Sequence, residues 1–248
     1  MYKYILLGVI QGLTEFFPVS SSGHLVIFQN ILSVTKNQVA LDVVLHLGTV
    51  CALLVFFFKD IIKLLRDIKM IALIIIVTII TGAIGVAGKD FFEQLFVSPK
   101  AVGVSLFITG VILLLTKKFS QQNRDKVSLK DSAILGVTQG IAIIPGISRS
   151  GMTISTLLFR GLKSEICFKF SFLVAIPVIL GAAVMEGRHI SSAMKGDGTN
   201  FAAGFIFSFI FGLIALAIVR RVLNKAKLYY FGYYCIIVAI LTLIFVKG

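Results

Sequence analysis

The chain has 248 residues, of which 58% are hydrophobic and 14% are charged, and its mean hydropathy is +1.01. No soluble domain needs that much apolar sequence, so the composition indicates a polytopic, all-α membrane protein, with one integral membrane domain over 1–248. The net charge of +13 does not indicate a nucleic-acid partner, because Lys and Arg lie in short clusters between apolar runs, as loop charges of membrane proteins do.

The first predicted element, 1–36, is a broken helix rather than a membrane span. It has two apolar arms of about 12 residues, separated by a break rich in Pro and Ser. A 12-residue helix is only about 18 Å long, so each arm reaches about halfway into a bilayer. Irregular backbone at that depth is tolerated only where protein or a wet cavity surrounds it. We therefore expect a re-entrant helical hairpin with a polar tip, hairpin one.

The remaining elements are six full spans and a second broken helix. The spans are predicted at 39–58, 70–88, 100–117, 165–186, 201–220 and 228–246. The second broken helix, 131–162, has the same two short apolar arms and is predicted to form hairpin two. Each half of the chain thus contains one hairpin followed by three transmembrane helices.

The two hairpins contain two copies of one motif. Residues 7–23 read LGVIQGLTEFFPVSSSG and residues 135–151 read LGVTQGIAIIPGISRSG, with eight of 17 positions identical at an offset of 128. The repeats are therefore approximately 1–130 and 131–248. Three spans cross the membrane an odd number of times, so the second repeat must enter from the opposite face. This predicts an inverted-topology repeat whose two tips meet near the midplane.

The distribution of basic residues predicts which loops lie on the cytoplasmic face of the membrane. The loops that must share one side hold 16 of the 24 Lys and Arg residues: Lys59, Lys63, Arg66, Lys69, Lys117, Lys118, Arg124, Lys126, Lys130, Arg160, Lys163, Lys169, Arg220, Arg221, Lys225 and Lys227. By the positive-inside rule these loops are cytoplasmic. Both termini then lie outside, and hairpin one enters from the outer face.

The tips carry the polar residues that an apolar chain can least easily hide. At the first tip these are Gln11, Thr14, Glu15, Ser20, Ser21, Ser22 and His24. Gln11 and Glu15 are four residues apart and share one face of the first arm. The second tip has the run PGISRSG at 145–151. Two helix N-termini aimed at one point form an anion site, because free N–H groups and the helix dipoles both favour negative charge.

The two motif copies differ where chemistry would require it. Glu15 is replaced by Ile143 in the second copy, and Ser21 by Arg149. The planar, permanently charged guanidinium of Arg149 suits phosphate oxygens. Because an isolated charge at this depth costs several kcal/mol, Glu15 and Arg149 need partners or water.

Structural roles are the alternative for each of these residues. Glu15 and Arg149 could form an ion pair that locks the two halves, and the serines could cap helices. His24 could hydrogen-bond a backbone carbonyl. Asp42 and His46, one helical turn apart, are interpreted as helix-packing contacts. The glycines at equivalent positions of both copies indicate close helix approach; they are Gly8, Gly12, Gly136 and Gly140.

The motifs QGLTEFFPVSSSGH at 11–24 and PGISRSG at 145–151 resemble the two signature motifs of the bacterial undecaprenyl-diphosphate phosphatase family, also called bacitracin-resistance proteins. Length, repeat and span count are similar over the whole chain. The resemblance implies release of inorganic phosphate from undecaprenyl diphosphate at the outer face of the bacterial cytoplasmic membrane, which recycles the lipid carrier for cell-wall synthesis. It also implies dependence on a divalent cation. The family's first motif begins with Glu or Gln; here Gln11 leaves Glu15 as the one carboxylate where some members have two.

These observations lead to a hypothesis for the site. Arg149 and the helix N-termini hold the substrate phosphates, with Ser20, Ser22, Ser148, Ser150 and Gly151 as further phosphate-binding residues. A divalent cation, Mg²⁺ or alternatively Ca²⁺, is held by Glu15 and Gln11. Ser21 is the preferred nucleophile and His24 the preferred proton carrier. Attack by a serine activated by His24 or Glu15 and attack by a directly activated water both stay open.

The predicted partner is a polyprenyl diphosphate lipid, whose tail stays in the bilayer between spans. A monomer and a homodimer both stay open. The rival function is a secondary transporter or lipid flippase, since inverted repeats with broken helices are the usual architecture of transporters. The cluster of Ser, His, Glu and Arg favours the enzyme, because it is richer in reactive groups than a transport site requires.

Overall fold

The computed structural model describes residues 1–34, 37–96, 98–118, 123–185, 187–224 and 227–246, with the backbone alone for 187–196 and 224. The described residues form helices and no β-strand, which confirms the all-α membrane fold. The helices are α1 (Tyr2–Phe16), α2 (Ser21–Ile31), α3 (Gln38–Phe56), α4 (Phe58–Leu64), α5 (Ile68–Ala87), α6 (Lys89–Phe96), α7 (Pro99–Leu115), α8 (Leu129–Ile141), α9 (Arg149–Phe159), α10 (Ser164–Met185), α11 (Gly187–Asn224) and α12 (Tyr230–Phe245).

Among the described residues, five helical segments are long and apolar enough to cross a membrane. They are Gln38–Phe56, Ile68–Ala87, Pro99–Lys118, Ser164–Met185 and Asp197–Leu223, and they match the first five predicted spans. The sixth predicted span is α12, whose 16 residues give a length of about 24 Å, short of a roughly 30 Å hydrocarbon core. The fifth span lies within α11, which departs from helical geometry at Asp197. The short helices α4 and α6 occupy connections that the sequence left without structure.

Both predicted hairpins are pairs of short helices that pack against each other, α1 with α2 and α8 with α9. The four arms have 15, 11, 13 and 11 residues, so they are about 16–22 Å long and too short to cross a bilayer singly. The breaks at 17–20 and 142–148 coincide with the Pro-containing tips. The depth of each hairpin in the membrane, and the face it enters, stay predictions.

Each hairpin packs its first arm against a span of the other half. The most extensive helix contacts of α1 are with α11, and those of the equivalent helix α8 are with α5. The final spans of the two halves, α7 and α12, pack against each other. Exchanging the two halves therefore maps these pairings onto one another, as a two-fold-related repeat would require. The inverted orientation itself stays a prediction.

The motif glycines lie at these crossings, as predicted. A Cβ on Gly12 would stand 2.6 Å from the carbonyl oxygen of Ser208 in α11. At the equivalent Gly140, a Cβ would meet the side chain of Ile84 in α5, with its Cδ1 at 2.5 Å. In hairpin one the backbone of α1 therefore packs directly against the backbone of α11, whereas in hairpin two the backbone of α8 packs against a side chain of α5.

A buried ion cluster joins the start of α8 to the end of α9, at the end of hairpin two farthest from its tip. Asp131, fully buried near the start of α8, pairs with Arg124 at 2.6 Å and with Arg160 at 2.7 Å. Burial raises the pKa of Asp131, but hydrogen bonds from Arg124, Ser128 and Arg160 outweigh it and hold the pKa well below its usual range. The two ends of hairpin two are thus tied together independently of the tip.

Candidate active site

Glu15, near the C-terminal end of α1, is the centre of the polar contacts at the tips. It is 7% exposed, and its Oε1 lies 2.5 Å from Nη2 of Arg149. Its Oε2 accepts hydrogen bonds from the hydroxyl of Ser21 and, at 3.1 Å, from Nε2 of Gln11. The same oxygen lies 3.5 Å from Nε2 of His46. A buried carboxylate is costly unless it is paired and hydrogen-bonded, and these contacts supply both conditions.

Arg149, the first residue of α9, brings the second half of the chain to this carboxylate. Its Nη2 pairs with Glu15, whereas its Nη1 is buried and has no hydrogen-bond partner among the described residues. A buried donor without a partner is unfavourable, and a phosphate oxygen placed beside Nη1 would satisfy it. The ion pair also joins the two halves, so the locking role and the phosphate-binding role are compatible in one geometry.

Ser21 is the first residue of α2 and its hydroxyl points at Glu15. The residue is 9% exposed. A serine hydroxyl that donates to an adjacent carboxylate is the arrangement of nucleophile and base that activates a weak nucleophile. The preceding residue, Ser20, caps α2 by accepting from the N–H of Gly23 at 3.3 Å, which fixes the first turn that carries Ser21.

Two matched serine pairs flank Ser21 and Arg149 in the chain. The hydroxyl oxygens of Ser20 and Ser22 are 3.2 Å apart, and those of Ser148 and Ser150 are 3.3 Å apart. Ser148 caps α9 by accepting from the N–H of Gly151 at 3.1 Å. The capping alternative is therefore confirmed at Ser20 and Ser148, and the N–H of Gly151 is already used. Ser22 is the half-buried member of the four, and the others are buried.

The two tips are also joined directly. Ser20 accepts from the N–H of Gly146 at 3.1 Å, and Ser150 donates to the carbonyl of Phe17 at 3.1 Å. Thr109 of α7 donates to the carbonyl of Gly146 at 2.9 Å and accepts from the N–H of Ser148 at 3.0 Å. Gly146 has a φ of +95°, a backbone conformation that favours glycine. The tips thus form one hydrogen-bonded unit.

The contacts of His24 are with residues other than Glu15 and Ser21. Its Nδ1 lies 2.8 Å from the carbonyl oxygen of Ser20 and its Nε2 lies 2.8 Å from the hydroxyl of Tyr234. The residue is 3% exposed. The structure therefore gives His24 the carbonyl contact of the structural alternative, and both ring nitrogens are occupied away from Ser21.

His46, which the sequence interpretation treated as a packing residue, is the histidine that faces Glu15. Its Nδ1 donates to the carbonyl of Asp42 at 2.7 Å, which leaves Nε2 directed at the carboxylate. Asp42 accepts from Gln29 at 2.6 Å, a helix-packing contact of the predicted kind. The sequence shows that His46 follows Asp42 by one turn of α3, so the two share a face of the helix. That spacing does not show which residues lie opposite this face.

The residues present fit a divalent cation that draws most of its ligands from substrate and water. Gln11 is fully buried, and its Oε1 has no hydrogen-bond partner among the described residues. With Glu15 one turn away, two hard oxygen donors share one helix face, the ligand type that Mg²⁺ and Ca²⁺ take. The described residues contain no cluster of three or more His, Cys, Asp or Glu side chains that could hold a metal ion alone.

The geometry brings together Gln11, Glu15, Ser21 and Arg149, with the serine pairs around them. It separates His24 from them, and it adds His46 and Thr109, which sequence reasoning did not place in the site.

Comparison with known proteins gives a consistent result over nearly the whole chain. The family model described as "Bacitracin resistance protein BacA" matches residues 4–241. A protein of Halothermothrix orenii named "Undecaprenyl-diphosphatase" is 43% identical over 252 residues, covering 98% of this chain and 97% of that protein. Proteins of the same name from Carboxydothermus hydrogenoformans and Methanosphaera stadtmanae are 41% and 36% identical, covering 98% and 97% of this chain and 96% of each relative.

Proposed function

The chain belongs to the bacitracin resistance protein BacA family, and we propose that it is a membrane phosphatase that hydrolyses undecaprenyl diphosphate to undecaprenyl phosphate and inorganic phosphate. Similar proteins over nearly the full length carry the name undecaprenyl-diphosphatase. The observation that carries the proposal is that Ser21 donates to Glu15 while Arg149, from the other half of the chain, pairs with the same carboxylate. A nucleophile, a base and an anion-binding cation thus meet at one point.

The proposed nucleophile is the hydroxyl of Ser21. Its oxygen attacks the terminal phosphorus, its proton passes to Glu15, and the bond from that phosphorus to the bridging oxygen breaks. Undecaprenyl phosphate leaves with the proton that Glu15 had accepted, and the phosphoryl group stays on Ser21. A water molecule then attacks the phosphoserine while Glu15 takes its proton. The bond from phosphorus to the Ser21 oxygen breaks, and Glu15 returns the proton to that oxygen, which releases inorganic phosphate and restores Ser21. Direct attack by water is the competing route.

Glu15 replaces His24 as the proposed proton acceptor. A general base must lie within hydrogen-bond reach of the proton it removes, and Ser21 donates to Glu15 rather than to His24. Nε2 of His46 lies 3.5 Å from Oε2 of Glu15, the oxygen that Ser21 also contacts. Because Nδ1 already donates its proton to the carbonyl of Asp42, the imidazole attracts Glu15 only when Nε2 carries a second proton.

Arg149 and the two helix N-termini are proposed to hold the diphosphate. The free Nη1 of Arg149 supplies one donor, and the first N–H groups of α2 and α9 have no partner within their own helices. When the diphosphate enters, its oxygens compete with Glu15 for the guanidinium, so binding of substrate releases the carboxylate to act as base. Five further residues have secondary phosphate-binding roles, because most of their polar groups already hold the tips together. They are Ser20, Ser22, Ser148, Ser150 and Gly151.

A divalent cation, Mg²⁺ or Ca²⁺, is proposed to be held by Glu15 and the free Oε1 of Gln11. When bound it supplies positive charge that neutralises the phosphate oxygens. With a single carboxylate, this chain relies on the substrate for further ligands, which is how Mg²⁺ commonly binds at phosphate sites.

The protein is a multi-pass membrane protein, and we place it in the bacterial cytoplasmic membrane with the site open to the outer face. The basic loops support this orientation, and the lipid tail would lie between the spans. The 117–131 loop has no cysteine of its own, so one is introduced there; a membrane-impermeant thiol reagent added to intact cells should leave it unmodified. Labelling of that loop would reverse the orientation.

The decisive test is phosphate release from a polyprenyl diphosphate by the purified protein in detergent, with Mg²⁺ and with a chelator. The expected result is turnover that depends on the cation and is lost in Arg149→Ala. A lipid flippase or secondary transporter would release no phosphate, and that outcome would overturn the proposed reaction.

A further inference from the structure

Helix α12 contacts hairpin one at its break and in the first turn of α2. The hydroxyl of Tyr234 lies 2.8 Å from Nε2 of His24, and their rings stack with centroids 5.7 Å apart and 7° between planes. The next residue, Cys235, donates from its thiol to the carbonyl of Pro18 at 3.6 Å. Adjacent residues of α12 therefore contact His24 in the first turn of α2 and Pro18 within the break, which are 210 and 217 residues away in the chain.

The partners of His24 fix which atom donates in each of its two hydrogen bonds. A carbonyl oxygen only accepts, so Nδ1 must carry the proton donated to Ser20. In a neutral imidazole Nε2 is then the acceptor, and the hydroxyl of Tyr234 is its donor. A chain of two hydrogen bonds thus runs from Tyr234 through His24 to the backbone of Ser20.

Ser20 is the residue on which the tip depends. It has a φ of 67°, which is unfavourable for a residue with a Cβ and persists where surrounding contacts enforce it. Its hydroxyl accepts from the N–H of Gly23 and of Gly146, and its carbonyl accepts from His24. The residue that follows is Ser21, whose hydroxyl must point at Glu15.

We propose that Tyr234 is a positioning residue for the reaction: through His24 it fixes the carbonyl of Ser20, and thereby the direction of the Ser21 hydroxyl towards Glu15. This role rests on the proposed function, in which Ser21 is the nucleophile. It gives His24 a positioning role in place of a proton-carrying one. A displacement of a reacting group by about 1 Å can lower a rate on the order of 100-fold, so the loss of one distant hydroxyl should be visible in turnover.

The variant Tyr234→Phe keeps the stacked ring and removes the hydroxyl. The expected result is a kcat lower by about 10-fold to 100-fold, with KM for the polyprenyl diphosphate within about twofold, because Arg149 is untouched. The matched control is Tyr233→Phe, the same change at the preceding position, which is 50% exposed and should retain wild-type turnover. An unchanged kcat in Tyr234→Phe would overturn the proposal, as would a fall matched by Tyr233→Phe.

A second measurement reports the hydrogen bond without turnover. In protein labelled with ¹⁵N in its three histidine rings, the His24 signal is assigned from its loss in His24→Gln. Wild-type protein should show a protonated Nδ1 and a hydrogen-bonded Nε2, and Tyr234→Phe should shift Nε2 towards an unbonded nitrogen. Identical Nε2 signals would refute the contact. If wild-type protein releases no phosphate, the proposed function fails and the positioning role with it, even where the nitrogen signal shows the bond.

Discussion

In hairpin one, Ser20 caps α2 through Gly23 and pairs with Ser22; at the equivalent positions of hairpin two, Ser148 caps α9 through Gly151 and pairs with Ser150. The positions that the two motif copies share thus build the same scaffold twice.

The positions that differ supply the groups of the proposed chemistry. Glu15 corresponds to Ile143 and Ser21 corresponds to Arg149. Placing the two tips together brings a carboxylate and a hydroxyl from one copy to a guanidinium from the other. A repeat of two identical copies would oppose like charges, which is unfavourable in a buried site. Divergence between the copies is therefore what turns a symmetric scaffold into a candidate active site.

The largest expected effect comes from removing either member of the pair that joins the copies. Glu15→Gln and Arg149→Ala should each lower phosphate release by about 10³-fold or more, because each removes an oriented charge at a phosphoryl-transfer site. The double variant should be no worse than either single variant if the two act as a unit. Lys89→Gln, at an exposed surface ion pair, is the control for loss of charge alone. Near-normal turnover in both single variants would make the pair structural.

The next effect separates the two routes of attack. Ser21→Ala should lower turnover by about 10³-fold if Ser21 forms the covalent intermediate. If water attacks directly, the variant should lose only about 10-fold, the value of one hydrogen bond of roughly 1.4 kcal/mol. Rapid-quench measurement of phosphoserine in wild-type protein checks the same point. Ser22→Ala, at the neighbouring half-buried serine, is the matched control and should retain the intermediate.

A third experiment compares the glutamines at equivalent positions. Gln11 donates to Glu15, whereas Gln139 donates to Thr81 at 3.2 Å. Gln11→Glu should add a second carboxylate, so the Mg²⁺ concentration for half-maximal activity should fall several-fold and the cation should raise the unfolding temperature. Gln139→Glu buries a charge among neutral groups and should destabilise the protein by several kcal/mol irrespective of Mg²⁺. An unchanged cation requirement in Gln11→Glu would remove Gln11 from the proposed cation site.

The smallest effect concerns the glycines of the two crossings. Gly12→Ala would press a methyl group against backbone atoms of α11, which have no room to move, and should destabilise by about 1–3 kcal/mol. Gly140→Ala meets the side chain of Ile84, which can turn aside, so its effect should be smaller. Thermal unfolding in detergent measures both. Equal losses would indicate that the two crossings are equally rigid.

Much of the fold was readable from sequence because membrane insertion depends on local composition. Long apolar runs predicted five spans at the observed places, and the short arms with Pro and Ser predicted both hairpin breaks. The capping serines could be named because a cap depends on residues three positions apart. The brevity of α12 and the short helices α4 and α6 were not foreseen, since helix ends depend on packing as well as hydropathy.

The sequence by itself determined that two divergent copies of one motif would supply Glu15, Ser21 and Arg149 at two polar tips. Only the tertiary structure decided that Ser21, rather than Ser20 or Ser22, faces Glu15, because each residue of a helix turns by about 100° and a small rotation exchanges the serines. It also decided that His24 meets Tyr234 and that His46 meets Glu15. Those contacts join residues from different helices, 210 and 31 positions apart respectively, and no local pattern of the chain specifies which helix faces lie opposite one another.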